Sequence, residues 1–297
     1  MIKFGVQPIF HRDLTTNPAW IKPFVKMIED AGASSIWAVE HPVIAENYEP
    51  LYSYSADGMA PFFPEVMMPD PLEWLSFVAA CTDRITLATG ILILPLHSPI
   101  IIAKRVATLD AMSGGRLQLG VGLGWQKEEF SAVNVPYNER AARTDETIVA
   151  MRQLWTGQST TFKGKHFQFS NLILDTLPKQ KSVPILIGGS TEAAAKRAGK
   201  YGDGFYPYVI SPEDFALRVE QIKASAKDAG RNPADIELTI WPSSYKQGGA
   251  LDLGLAKAYR DAGATQFLIA AQENGSIDTQ DVERFVKRYR DEIIAKL

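Results

Sequence analysis

A chain of 297 residues with 46% hydrophobic side chains and a formal net charge of −3 can bury a large core, and it carries no electrostatic footprint for nucleic acid or an anionic membrane. Its single cysteine, Cys81, excludes an intramolecular disulfide and reads as a small buried apolar side chain in a helix. No apolar run approaches the ~20 residues of a membrane span, and MIKFGVQPIF lacks the parts of a secretory signal, so a soluble cytoplasmic protein is expected.

Strand and helix patterns then alternate along the chain. Ile2–Phe10 reads as a strand, and from Asn17 a helix carries Ile21, Phe24, Val25 and Ile28 on one face. Ser34–His41 is a second strand. The loop Pro42–Asp70 follows, crowded with Tyr48, Tyr52, Tyr54, Met59, Phe62, Phe63, Met67 and Met68. Loops of that length are usually lids or binding loops; an arm packing on another subunit explains this one nearly as well. Pro71–Cys81 is a helix, Ile85–Leu94 a third strand, and a helix begins near Ser98. Arg116–Gly124 is the fourth strand, and the helix after it carries Ile148, Met151, Leu154 and Trp155. Thr160–Pro178, with aromatics alternating around Gly164, reads as a short hairpin.

Val183–Gly189 is a fifth strand, followed by an Ala-rich helix ended by Gly202. Asp203–Val209 is a sixth, and Ser211-Pro212 opens the next helix in the favoured N-cap and N1 positions. Ile236–Pro242 and Thr265–Ala271 complete the strands, each followed by a helix, the last striped by Val282, Phe285, Val286, Tyr289 and Ile293. Eight strands and eight helices in strict alternation predict an α/β chain of one domain, residues 1–297. The architecture is a (β/α)8 TIM barrel with an insertion after strand 2 and a short hairpin before strand 5. A doubly wound open sheet would need fewer units.

In such a barrel the C-terminal ends of the strands carry the chemistry. Here they are glycine-rich and aromatic, with one acid–histidine pair, Glu40-His41. No metal site is expected, because His11, His97 and His166 have no ligand spacing. No G-x-S-x-G elbow and no mid-strand lysine point to hydrolase or Schiff-base chemistry. Glycine permits close approach of backbone to a flat ring. Gly120, Gly122 and Gly124 form only a partial dinucleotide fingerprint. Gly188, Gly189, Ser190 and Thr191 make the better anion site, since free N–H groups, two hydroxyls and a helix dipole meet there; an ordinary N-cap is the bland alternative. His41 has the pKa range of a general acid or base, or is simply satisfied by loop carbonyls. Glu128 and Glu129 read as first-turn residues favoured by the dipole, with a proton-handling role as the alternative.

WAVEH, LATGILILPLHSPIIIAKRVATLDAMSGGRLQLGVGLGWQKEEF and PILIGGSTEAAAKRAGKYGDGFYP together resemble the luciferase-like flavin and deazaflavin oxidoreductases, most of all the subgroup assigned to coenzyme F420. The resemblance implies a (β/α)8 barrel with a tricyclic ring in its mouth and the cofactor phosphate at Gly188–Thr191. It also implies a non-proline cis peptide near Thr89-Gly90-Ile91 that backs the ring, with Gly122, Gly124 and Trp125 beside it. His41 is then the proton donor or acceptor, and Glu40 its orienter or a partner of the ring. Trp125 stands where the sugar-phosphate dehydrogenase branch carries an acidic glutamate, and a tryptophan cannot do that work. The expected activity is hydride transfer between F420 and a small organic substrate. The alternatives are an FMN-dependent monooxygenase using O2 and a non-catalytic flavin-binding barrel. A homodimer is implied as well.

Overall fold

The computed structural model describes residues 2–60 and 65–297, so Phe62 and Phe63 lie outside the described residues. In chain order the elements are β1 (Lys3–Gln7), α1 (Pro18–Asp30), β2 (Ser35–Ala38), α2 (Pro71–Ala79), β3 (Thr86–Thr89), β4 (Leu92–Ile93), α3 (Pro99–Met112) and β5 (Leu117–Gly122). Then come α4 (Lys127–Ala132), α5 (Arg140–Leu154), β6 (Thr160–Lys163), β7 (Gln168–Leu172), β8 (Ile185–Gly188), α6 (Glu192–Tyr201) and β9 (Gly204–Tyr206). The chain ends with α7 (Pro212–Asp228), β10 (Glu237–Ile240), α8 (Pro242–Tyr245), α9 (Leu253–Asp261), β11 (Gln266–Ala270) and α10 (Thr279–Glu292).

The helices start where the local chemistry says they should. Pro occupies the first turn of α1, α2, α3 and α7, where its missing N–H costs nothing. Asn17, Asp70, Thr191, Ser211, Asp252 and Asp278 cap N-termini through their side chains. Each such cap stabilises by ~1 kcal/mol.

The sheet runs β3-β2-β1-β11-β10-β9-β8-β5, all parallel, and β3 pairs back onto β5 to close the barrel. The helices bury their apolar stripes against its outside, and Trp37, Ala88, Leu186, Tyr206 and Leu268 pack together within it. The expected insertions are present: the long loop between β2 and α2, and the antiparallel β6–β7 hairpin before β8. The strict eight-helix alternation is not: α4 and α8 are additional short helices at strand ends. Cys81 lies past the end of α2 and is half-buried rather than buried.

The third strand departs from regular geometry. A cis peptide joins Gly90 to Ile91 and divides the segment into β3 and β4. Leu87 pairs with Leu117 and Leu92 with Val121, so this strand gains one residue on β5 across the cis bond, which is a β-bulge. The neighbouring strand accommodates it by having no side chain at Gly120 and Gly122. A Cβ on Gly120 would lie 2.0 Å from Thr89 O, and one on Gly122 would lie 2.7 Å from Ile91 Cδ1.

Candidate active site

The C-terminal rim of the barrel gathers most of the residues expected there. Glu40 and His41 leave β2 side by side but point to different partners. The Glu40 carboxylate, 6% exposed, accepts the Ile93 N–H at 2.6 Å and lies 2.9 Å from His97 Nε2, while its own N–H donates to Ile91 O at 3.1 Å. Glu40 therefore braces the far side of the bulge. The carboxylate facing His41 belongs to Glu129, whose Oε1 is 3.1 Å from His41 Nδ1. Sequence spacing could not show this, because 88 residues separate the two.

Thr89, expected against the ring, is fully buried and donates its hydroxyl to Gly120 O at 2.7 Å. Ile91, just past the cis bond, is half-buried and packs against Trp37, Tyr206 and the other residues that fill the barrel. Gly122 is shaped by Ile91, and Gly124 adopts φ +76° where a Cβ would meet Ile93 and Phe130. Both glycines thus answer first to the bulge and to core packing.

At the end of β8 the hydroxyls of the Gly188–Thr191 stretch have structural work. Thr191 Oγ1 accepts from Ala194 N, and Ser190 Oγ donates to Tyr208 O. What remains for an anion is the backbone at the start of α6 and its dipole. Arg218, on α7, adds a cation that the sequence did not single out: its Nε donates to Ser190 O at 2.9 Å. Arg218 directly precedes Val219 on the helix's buried face, so nothing in the linear pattern marked it.

The long loop lies across the mouth. Rings follow one another from His41 to Trp125 (6.0 Å), Trp125 to Tyr52 (5.3 Å), Tyr52 to Tyr54 (5.4 Å), Tyr54 to Tyr208 (4.9 Å) and Tyr208 to Trp241 (5.6 Å). Burial raises the Tyr52 and Tyr54 phenols above the ordinary range, with Ser190 opposing the shift at Tyr54. Beyond Trp241, Glu273 takes the indole Nε1 at 2.6 Å, the Ser243 hydroxyl and the Ala270 N–H. Burial pushes this carboxyl up against those three donors. A cavity of about 480 Å³ opens beside Glu273, lined by Leu251, Asn274 and Arg288 among others, and adjoins the rim.

The sequence profile of the luciferase-like monooxygenases matches residues 4–244, from β1 through β10 and into α8. The chain belongs to that family. Luciferase-like relatives include an F420-dependent glucose-6-phosphate dehydrogenase of Kineococcus radiotolerans, 31% identical over 75% of this chain and 64% of its own length. An FMNH2-dependent dimethylsulfone monooxygenase of Pseudomonas putida is 34% identical over 51% of this chain and 42% of its own. In fold the chain is similar to the F420-dependent tetrahydromethanopterin reductase of Methanopyrus kandleri, with a TM-score of 0.75 and 19% identity over 99% of both chains. This luciferase-like chain is thus built as an oxidoreductase or monooxygenase barrel, in a family with both F420- and FMN-dependent members.

A phosphate-bearing flavin or deazaflavin suits the rim chemically. The Arg218 guanidinium, bonded to Ser190 O at the start of α6, sets a positive charge beside the backbone N–H groups there, which fits an anionic group. Among the described residues no group of three His, Cys, Asp or Glu side chains could hold a metal ion, and no helix is long and apolar enough to cross a membrane.

Proposed function

We propose that the protein is a deazaflavin-dependent oxidoreductase that moves a hydride between coenzyme F420 and a small organic substrate carrying an activated C=C, C=N, alcohol or nitro group. The reading is carried by one juxtaposition: the Gly90–Ile91 bulge, the Gly189–Thr191 cradle and the His41–Trp125 wall share a single rim. Bound there, the deazaflavin supplies or accepts the hydride at its ring carbon 5. The chain's own residues do the rest. Backbone N–H groups at Ser190 and Thr191, with Arg218, hold the phosphate. Ile91 and the bulge behind it back the ring. Trp125, Tyr52 and Tyr54 exclude water, and His41 takes or gives the proton at Nε2. Trp125 in place of an acid argues against a sugar phosphate as substrate. A cytoplasmic homodimer accompanies this reading, and exposed Ile101 and Met112 on α3 support a paired surface.

A second reading, an FMN-dependent monooxygenase using O2, is favoured by the likeness to the Pseudomonas putida enzyme. The test is anaerobic mixing of reduced F420 with enones, imines and nitroarenes, and of oxidised F420 with secondary alcohols, followed by the deazaflavin absorbance. Turnover with one class, lost in His41→Ala while F420 affinity is kept, is the expected result. Product formed only with reduced FMN and oxygen would replace it by the second reading, and binding with no turnover would leave a non-catalytic barrel.

A further inference from the structure

Four consecutive polar residues follow Trp125, and each reaches the segment leaving β2. Gln126 Nε2 donates to Val43 O at 3.2 Å, and Lys127 Nζ lies 2.5 Å from Glu49 Oε2. Glu128 Oε1 accepts the Glu49 N–H at 3.1 Å, and Glu129 Oε1 meets His41 Nδ1 at 3.1 Å. Helix α4 is only six residues long, so its first turn clasps the loop rather than displaying an amphipathic face. Lys127 and Glu128 are half-buried in this clasp and Glu129 is fully buried beneath it.

Glu129 is 1% exposed, and its Oε2 has no hydrogen-bond partner among the described residues. A buried carboxylate with an unused oxygen is costly, and the cost is offset where a positive charge forms beside it. The imidazole of His41 is the group in position to carry that charge. Of the other nearby carboxylates, Glu40 is committed to Ile93 and His97, and Glu128, whose Oε2 is likewise buried and unpartnered, is turned to Glu49 N through Oε1, while Lys127 pairs with Glu49.

We infer that Glu129 is the positioning residue of His41. It holds the proton of the neutral ring on Nδ1, which leaves the lone pair on Nε2, and it stabilises the imidazolium when Nε2 takes a proton from substrate. This rests on the reading of His41 as the proton-handling group, and the test separates the two claims. Ring nitrogen shifts are recorded on the ligand-free protein with labelled histidine over a pH series extended until the ring is neutral, His41 being assigned by its absence in His41→Ala.

The wild type is expected to show His41 protonated on Nδ1. Glu129→Gln is expected to lose that preference, because the amide can donate to Nδ1, while F420 affinity stays within about twofold and turnover falls at least ~10-fold, the scale of an outer partner's loss. Glu40→Gln is expected to alter His97 and leave the His41 tautomer alone. If Glu129→Gln fails to fold, Glu129→Asp carries the test, its shorter side chain being expected to weaken the Nδ1–H population. An unchanged tautomer in the Glu129 variant, or the same change in Glu40→Gln, overturns the inference. A changed tautomer with unchanged turnover upholds the pairing and overturns the proton role assigned to His41.

Discussion

Adding a single methyl group to β5 tests whether its glycines serve the bulge. In Gly120→Ala the new Cβ falls 2.0 Å from the Thr89 carbonyl oxygen, a backbone atom held in the barrel wall. Ordinary C···O contacts are roughly 3.3–3.6 Å, so the strands must part by ~1.4 Å. Overpacking of this kind costs ~1–3 kcal/mol, and the rigid neighbour puts Gly120→Ala at the upper end. For a chain of this size that is a fall in Tm of roughly 6–12 °C. Gly122→Ala meets only the tip of Ile91, at 2.7 and 2.9 Å, and a side chain can turn away. Its cost is about 1 kcal/mol, or roughly 2–4 °C. If Ile91 backs the ring as proposed, the larger effect of this variant is a loss of cofactor affinity. Calorimetry on the two variants reads the difference directly. Equal Tm values for Gly120→Ala and wild type would refute the claim that β5 is kept bare at Gly120 for the bulge.

Other consequences are equally accessible. Arg218→Ala is expected to weaken phosphate and cofactor binding by ~10-fold or more, as loss of a charge-assisted contact should, and titration calorimetry with inorganic phosphate and with F420 checks it; unchanged affinity removes Arg218 from the cradle. Glu29 is buried, which alone would raise its carboxyl, yet N–H donors from Arg84, Ile85 and Asp83 hold it below the ordinary range. Its contribution is present above the unfolded carboxylate pKa and lost as pH falls through the depressed folded value, so Glu29→Gln should flatten the acid limb of a denaturation-versus-pH profile. Glu237, beside a polar cavity of about 100 Å³ at the opposite end of the barrel, has the reverse sign: burial pushes its carboxyl up, with Lys3 opposing. Stability from this group is full below the unfolded pKa and declines as pH rises through the folded one, so Glu237→Gln should remove a loss that sets in above the ordinary carboxylate range.

The barrel was legible because its signals are local. Prolines at N1, side-chain caps and apolar stripes mark the ends and inner faces of helices such as α1, α2 and α7. Strands such as β8 and β11, buried on both faces, read as continuous apolar runs. The rim was legible as a set of positions rather than as a set of bonds. His41, Gly90 and Ser190 lie where expected, but the partner of His41 came from α4 and the cation beside Ser190 from α7. Both contacts span long stretches of chain and depend on barrel closure, which periodicity does not encode. Glu129 was visible as an acid in a first helical turn and as an alternative proton-handling group, but not as the partner of His41. His97, lacking ligand spacing, turned out to pair with Glu40 across the bulge. Gly122 and Gly124 are expected beside a flat ring because glycine signals close approach, and the structure adds that Ile91 and Ile93 come close to them from within the chain.

The central claim, that this rim receives a deazaflavin with its phosphate at the start of α6, is tested most directly by equilibrium binding. Affinities of the purified protein for F420 and for FMN, each oxidised and reduced, are measured anaerobically for wild type and Arg218→Ala. The account predicts that F420 binds at least ~10-fold tighter than FMN in either state, a difference of about 1.4 kcal/mol, and that Arg218→Ala weakens it. Tight binding of reduced FMN with little affinity for F420 would contradict it.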